Sequence, residues 1–290
     1  MLRVARQRKG FSQKEAADRL GFSQAVLSRV ENGATEPTSA LLERASMIYE
    51  LPLGFFAQQE PVYGAPVSVH PMWRKKAEVT TREKDRIVAE KNIRIMHMRC
   101  LLEGAEFEHD LALPRFDAED FGDPERIAEL VRAFWKIPPG PIQNLTQLVE
   151  RAGIVVVHSP LAGSAVSGVT FAAPGLPPLV VLNNEQPADR LRFSLAHELG
   201  HLIMHRYPTP RMEDEANAFA SALLMPSADI MPRFFGQRVD LALLAALKPE
   251  WKVAMQALLV RANSLRAISP NQARYLWQQI NARRLRLREP

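Results

Sequence analysis

The sequence feature that most restricts this chain is a pair of histidines four residues apart, in the run His197-Glu198-Leu199-Gly200-His201. On an α-helix, side chains at positions i and i+4 project from the same face, so the two imidazoles can hold one metal ion. Glu198 directly follows the first histidine, from where a carboxylate reaches the ion's bound water rather than the ion. The spacing therefore predicts a helix that carries two metal ligands, His197 and His201, and a general base, Glu198.

A catalytic zinc site also needs a third protein ligand and an open position for water. A second predicted helix begins twelve residues after His201 and carries Glu213, Asp214 and Glu215 in its first turn. Glu213 and Glu215 lie about 200° apart around a helix, so they cannot both face the ion. Glu213 shares its face with a stripe of mostly small residues that would pack closely on the histidine helix: Ala216, Asn217, Ala220 and Leu224. We therefore predict Zn²⁺ bound by His197, His201 and Glu213, with Glu215 as the alternative third ligand.

The first sixty residues contain short predicted helices separated by tight turns. Ser12 and Ser23 are N-cap residues of two successive helices, and the turn between those helices contains Gly21. Two helices joined in this way form a helix-turn-helix, whose second helix presents polar side chains to the edges of DNA bases. The residues expected to read bases are Gln24, Ala25 and Arg29, and those expected to contact phosphates are Gln13, Ser23 and Asn32.

The run FSQKEAADRLGFSQAVLSRVENGATEPT, residues 11–38, resembles the Xre/Cro/C1 family of phage-repressor-like DNA-binding domains, and the resemblance covers about residues 1–58. It implies a double-stranded DNA operator as a partner. Domains of this type commonly read two half-sites as dimers, so a homodimer is possible. The alternative is a helical bundle that binds a protein and never touches DNA. Residues 1–60 hold 8 basic and 7 acidic side chains, and this small net charge favours the alternative.

The region around the two histidines resembles the ImmA/IrrE family of zinc metallopeptidase domains. The resemblance rests on RLRFSLAHELGHLIMH at 190–205, on Glu213 to Pro226 with its ending ALLMP, and on VVLNN at 180–184. It covers about residues 120–235. It implies a gluzincin-like fold, in which a small sheet packs against the active-site helix, two histidines and a glutamate bind zinc, and Glu198 is the catalytic base. It also implies a protein substrate, a repressor or an antitoxin-type protein, whose cleavage switches on stress, phage or mobile-element genes.

These interpretations predict a mostly α protein with a small β-sheet (α+β), made of an all-α helix-turn-helix domain and a gluzincin-like metallopeptidase domain. The predicted boundaries are 1–60 for the DNA-binding domain, 61–118 for a linker and long connecting helix, 119–235 for the zinc peptidase domain, and 236–290 for a C-terminal helical region with a basic tail. Strands are expected at Ile154 to His158, Gly168 to Ala172 and Leu179 to Asn183.

Composition excludes several other classes. No run approaches 18 apolar residues, and no apolar stretch follows the basic N-terminus, so neither a membrane span nor a secretory signal is expected. Cys100 is the only cysteine of the chain, which excludes an intramolecular disulfide, and its apolar neighbours suggest that it is buried. The protein is therefore expected to be cytoplasmic.

His205 and the arginine-rich C-terminal tail can each be interpreted in two ways. His205, four residues after His201, either points toward the cleft and steadies the substrate or caps the end of the helix. The arginine-rich tail that begins at Arg283 is either a solvated helix end or a contact with DNA or a partner.

Three functions agree with these observations. In the first, the chain is a protease whose DNA-binding domain directs it to an operator. In the second, it is a non-proteolytic transcription regulator whose peptidase-like domain senses a metal, a ligand or a partner. In the third, it is a component of a toxin–antitoxin or phage-defence pair.

Overall fold

A computed structural model of the protein describes residues 1–58, 80–161, 166–172, 175–285 and 289. The chain divides into two compact units. The first comprises Met1–Phe107 with two short segments, Pro160–Val166 and Pro174–Leu176, and the second comprises Glu108–Ser159, Ser167–Ala173 and Pro177–Pro290. Residues 61–79 of the predicted linker and connecting helix, 61–118, lie outside the described residues. Among the described residues, no helix has the length and apolar character that crossing a membrane requires.

The described part of the first unit is helical. Its helices are α1 (Leu2–Lys9), α2 (Gln13–Leu20), α3 (Gln24–Glu31), α4 (Ser39–Tyr49), α5 (Leu53–Phe56) and α6 (Thr81–Gly104). Ser12 and Glu15 form a reciprocal capping box at the start of α2, which satisfies two backbone N–H groups that have no partner inside the helix. The helix ends at Gly21, whose φ of 71° is favourable for glycine alone, and the chain turns there toward α3.

A buried ion pair ties the helix-turn-helix together. Arg6 of α1 donates from Nε and Nη2 to the two carboxylate oxygens of Glu31, at 2.7 and 3.0 Å. The Glu31 side chain is fully buried, and Gln13 of α2 donates to it as well, at 3.0 Å. One carboxylate at the end of α3 therefore holds α1 and α2 in place. The apolar core around it includes Leu20, Leu27, Leu41, Ala45 and Tyr49.

The second unit contains twelve described elements. They are α7 (Ala118–Phe121), α8 (Pro124–Phe134), α9 (Leu145–Arg151), β1 (Val155–Ser159), β2 (Gly168–Phe171), β3 (Leu179–Asn183), α10 (Ala188–Met204), α11 (Met212–Leu224), α12 (Ser227–Phe234), α13 (Leu241–Trp251), α14 (Met255–Ser264) and α15 (Pro270–Ala282). The sheet order is β1-β3-β2. β1 runs parallel to β3 and β2 runs antiparallel to it.

The central helix of this unit is α10, which carries the two histidines. It packs on β2 and β3 and on α11. One continuous apolar core joins Leu199 of α10 and Phe219 of α11 to the C-terminal helices, which contribute Trp251, Leu258 and Leu276. The helices after residue 236 therefore belong to the same core as the metal-ligand helix. The predicted fold class, mostly helical with a small sheet and an all-α N-terminal domain, is confirmed.

The prediction that Cys100 is buried was wrong, because the residue is exposed. It lies in the last part of α6, where Leu101 is also 70% exposed. The apolar positions of α6 that pack in the first unit, such as Ile93 and Met96, come earlier in the helix. The helix thus continues past the core that would have covered Cys100.

Candidate metal centre

Three side chains converge at the junction of α10 and α11. The Nε2 atoms of His197 and His201 are 3.0 Å apart. Oε2 of Glu213 lies 3.6 Å from the His197 nitrogen, and its Oε1 lies 3.5 Å from the His201 nitrogen. Among the described residues, these three form the group whose ligand atoms are close enough together to share a metal ion.

The spacing of these atoms fits zinc. Ligand atoms 2.0–2.1 Å from a tetrahedral ion lie about 3.3–3.4 Å from one another. The two histidine nitrogens are 3.0 Å apart, and each lies 3.5–3.6 Å from a different oxygen of Glu213, which is close to that value. Oε1 of Glu213 is also buried and has no hydrogen-bond partner, which is costly unless another group compensates it. A cation bound between the three residues would supply that compensation.

The electrostatics of the cluster favour a cation. Burial opposes the ionisation of Glu213, but its contacts with His197 and His201 prevail and lower its pKa to about 2. Burial likewise opposes the charged form of His197, yet contact with Glu213 and the charge of Glu198 outweigh it and raise the pKa of that imidazole. Glu213 is therefore ionised at neutral pH, as a carboxylate ligand must be.

Close approach of the two helices brings Glu213 to the histidines. Gly200 lies between the histidines on α10, and a Cβ atom there would stand 2.9 Å from Cδ1 of Phe219 and 3.4 Å from Cα of Ala216. The first distance leaves no room for a Cβ atom unless Phe219 shifts, and the second is already van der Waals contact. A glycine on α10 facing an alanine on α11 thus sets the distance between the helices, and with it the distance between the ligands.

Each histidine has a further partner at its Nδ1 atom. Nδ1 of His197 lies 3.0 Å from Oδ1 of Asn217. Nδ1 of His201 lies 3.0 Å from Nδ1 of His205, whose Nε2 lies 3.2 Å from Oε2 of Glu215. Such contacts fix the ring orientation of a metal-binding histidine and keep its other nitrogen turned to the ion. Glu213 and Glu215 therefore face different partners, the ligand cluster and His205.

His205 caps the end of α10, which is one of the two expectations for it, whereas its contact with a substrate stays a prediction. Its backbone N–H donates to the carbonyl oxygen of His201 at the end of α10, so it is the C-cap residue. Its ring, however, contacts the ligand His201 and Glu215.

Glu198 is held next to the cluster by the sheet. It is only 2% exposed, and Thr170 of β2 donates from Oγ1 to its Oε2 at 2.5 Å. The neighbouring Gly168 leaves space for this arrangement, because a Cβ atom there would stand 3.2 Å from Cγ of Glu198. Thr170 thus fixes one carboxylate oxygen of Glu198.

The roles of two residues of this site were missed by the sequence reasoning. Helical spacing places Asn217 on the same face as Glu213, but its contact with His197 was not predicted. Thr170 lies in a strand 28 residues before Glu198, and no local signal connects the two.

The residues expected to contact DNA lie on the first unit. Five of the six are exposed: Ser23, Gln24, Ala25, Arg29 and Asn32. Ser23 also caps α3 by accepting from the backbone N–H of Val26. Gln13 is half-buried and its amide donates to Glu31, so its side chain also takes part in the contact between α2 and α3.

Family comparisons agree with these two units. Residues 2–56 match the family model described as helix-turn-helix, and residues 149–263 match a peptidase family model described as an IrrE N-terminal-like domain. No curated protein matches this chain. The protein therefore carries an Xre-like helix-turn-helix domain and an ImmA/IrrE-like peptidase domain, and the latter family implies a bound metal, typically zinc.

Proposed function

We propose that this protein is a DNA-binding regulator that is also a zinc-dependent endopeptidase, and that it cleaves a repressor or antitoxin-type protein. One observation carries the enzymatic part of the proposal. The ligand atoms of His197, His201 and Glu213 lie within 4.8 Å of one another in a domain that matches a peptidase family, and the buried carboxylate of Glu198 lies beside them.

His197, His201 and Glu213 would hold the zinc ion. When bound, zinc polarises a carbonyl oxygen and lowers the pKa of its water to about 7. Asn217 and His205 orient the two imidazoles through their Nδ1 atoms.

Glu198 is the general base of the proposed reaction. Hydrolysis adds water across the peptide C–N bond, so a proton must leave the water and reach the departing nitrogen. Oε1 of Glu198 takes this proton as the water oxygen bonds to the carbonyl carbon, and passes it to the nitrogen as the C–N bond breaks. The hydrogen bond from Thr170 to Oε2 keeps the carboxylate in one orientation during both transfers.

The deciding experiment compares the zinc-loaded full chain with its Glu198→Gln variant. Each protein is added to an extract of the cells that carry the gene for this protein. New protein N-termini are identified by mass spectrometry. We expect cleavage products with the wild type that are missing with Glu198→Gln, while both proteins retain one zinc per chain. Glu185→Gln is the matched control, because Glu185 is exposed in the turn after β3. This variant should cleave the same proteins as the wild type. Identical N-termini with wild type and Glu198→Gln would contradict proteolysis and favour a sensor role for the metal site.

The DNA-binding part of the proposal rests on the exposed face of α3. Arg29 is exposed there and has the geometry to bind guanine in bidentate fashion. Arg29→Ala should cost about 1–3 kcal/mol of binding to a palindromic site near the protein's own promoter and should relax base preference. Arg3→Ala removes the same charge from an exposed position of α1 and is the control. Equal loss with both variants, on specific and scrambled duplexes alike, would contradict base reading by α3.

A further inference from the structure

A cavity of about 720 Å³ opens next to the metal centre, within the second unit. It is bounded by α10, α11, α14 and α15 and by Ser167, the residue before β2. Volumes of 300–1,000 Å³ are typical of sites that enclose most of a bound ligand. The two C-terminal helices supply one of its walls, in a part of the chain that the zinc ligands do not involve.

Three residues of the cavity wall lie near the metal centre. Asn217, which contacts the ring of His197, is also part of the cavity wall. Ser194 lines the cavity one helical turn before His197. Ser167 is followed directly by Gly168, which lies against Glu198. A polypeptide whose scissile carbonyl lay at the metal centre would therefore place a neighbouring side chain in this cavity.

The wall is largely apolar. It includes Phe193, Ala218, Ala257, Val260 and Trp277. Val260 is 51% exposed on α14, so an apolar side chain stands uncovered at the edge of the cavity. Burying such a surface under a ligand is favourable by about 25 cal/mol per Å² of apolar area.

Three of the five charged residues of the cavity wall, Glu125, Asp189 and Arg261, form ion pairs within the protein. Arg261, whose side chain is 3% exposed, pairs with Glu125 at 2.7 Å and donates to the backbone oxygen of Met225. Asp189 pairs with Lys248 at 3.0 Å. An incoming charged side chain would have to compete with these pairs, whereas an apolar one would not.

We propose that this cavity is the specificity pocket of the peptidase site and accepts a large apolar side chain, aromatic or branched, that neighbours the scissile bond of the protein substrate. The proposal rests on the proposed peptidase function. Its occupant is part of the substrate, since the cavity wall shares Asn217 with the environment of the zinc ligand His197.

The test measures binding rather than turnover, so that the two proposals can fail separately. The full-length Glu198→Gln protein, loaded with zinc, is titrated with three blocked dipeptide hydroxamates that differ in one side chain: phenylalanine, alanine or aspartate. A hydroxamate binds the metal without being cleaved. We expect the phenylalanine probe to bind about tenfold or more tightly than the alanine probe, and the aspartate probe to bind most weakly.

Two variants on the same background locate the preference. Val260→Arg should weaken the phenylalanine probe and strengthen the aspartate probe, because it places a cation at the apolar edge. Ala218→Phe, at an exposed position of α11, should narrow the cavity and reduce the preference for the phenylalanine probe over the alanine probe. Tyr275→Arg is the control, since Tyr275 is 51% exposed on α15 and does not line the cavity.

The outcomes separate the proposals. The pocket proposal would be overturned if Val260→Arg and Ala218→Phe both left the probe preferences unchanged while zinc content stayed intact. The cavity would then be a site for another ligand. Equal binding of all three probes to the unaltered pocket would also overturn it. Apolar preference in binding, combined with no cleavage by the wild type of any cellular protein, would contradict the peptidase function and keep the pocket.

Discussion

The Nδ1 atoms of His201 and His205 lie 3.0 Å apart. One of these two imidazole nitrogens must therefore donate a hydrogen bond and the other must accept it. Burial lowers the pKa of His205 to about 4, so His205 is neutral at pH 7. Its Nε2 faces the carboxylate of Glu215 and carries the proton, which leaves Nδ1 to accept from His201. This arrangement turns Nε2 of His201, with its lone pair, toward the ligand cluster.

We expect His205→Phe to weaken zinc binding by about 10–100-fold, because the acceptor that orients His201 is lost while the three ligands remain. Competition with a chromogenic chelator measures the change. His158→Phe is the control, since His158 is an exposed residue of β1. Unchanged zinc affinity in His205→Phe would show that His205 has no part in orienting the ligand.

The choice between the two candidate glutamates has its own test. Glu213→Gln should remove most bound zinc, because one of three ligands loses its charge, whereas Glu215→Gln should retain it and lose only part of the support for His205. Zinc per chain is measured in both variants by atomic spectrometry. Loss of zinc from Glu215→Gln together with full occupancy of Glu213→Gln would refute the ligand assignment.

Gly200→Ala should reduce zinc affinity even though alanine favours a helix by about 1 kcal/mol over glycine. The new Cβ atom would stand 2.9 Å from Phe219, so α11 must move away from α10 and carry Glu213 with it. Gly54→Ala is the matched control, since a Cβ atom there meets nothing within 4 Å. Equal zinc affinity in all three proteins would mean that helix spacing does not govern the ligand distances.

Glu31→Gln should destabilise the helix-turn-helix and leave the zinc site unaffected. It leaves the guanidinium of Arg6, whose side chain is 11% exposed, without its ionised partner. Breaking a buried pair in this way costs about 3–5 kcal/mol. Hydrogen exchange on the full chain should therefore show at least a hundredfold less protection in α1, α2 and α3. Glu36→Gln, at an exposed position after α3, is the control. Unaltered protection in Glu31→Gln would show that the pair contributes nothing to stability.

Features that depend on local geometry follow directly from the order of the amino acids. The four-residue interval between His197 and His201 requires only helical periodicity, which packing does not change. Ser12 and Ser23 indicate where α2 and α3 begin, because an N-cap side chain binds the backbone of the helix that directly follows it. Glu213 was chosen over Glu215 from the angle between them around a helix and from the small residues beside Glu213, and the structure places it within reach of both histidines.

Tertiary structure alone decided which distant residues complete the site. Thr170 reaches Glu198 because β2 lies against α10, and the cavity exists because α14 and α15 fold back beside α11. The ring of His205 contacts His201 and Glu215 because α11 places a carboxylate next to it. The local sequence alone agreed equally well with a helix cap or with a substrate contact. The physical reason is the range of the interactions. Periodicity and capping act over about four residues and are visible in the sequence, whereas the approach of two packed elements depends on the volume of side chains far apart along the chain.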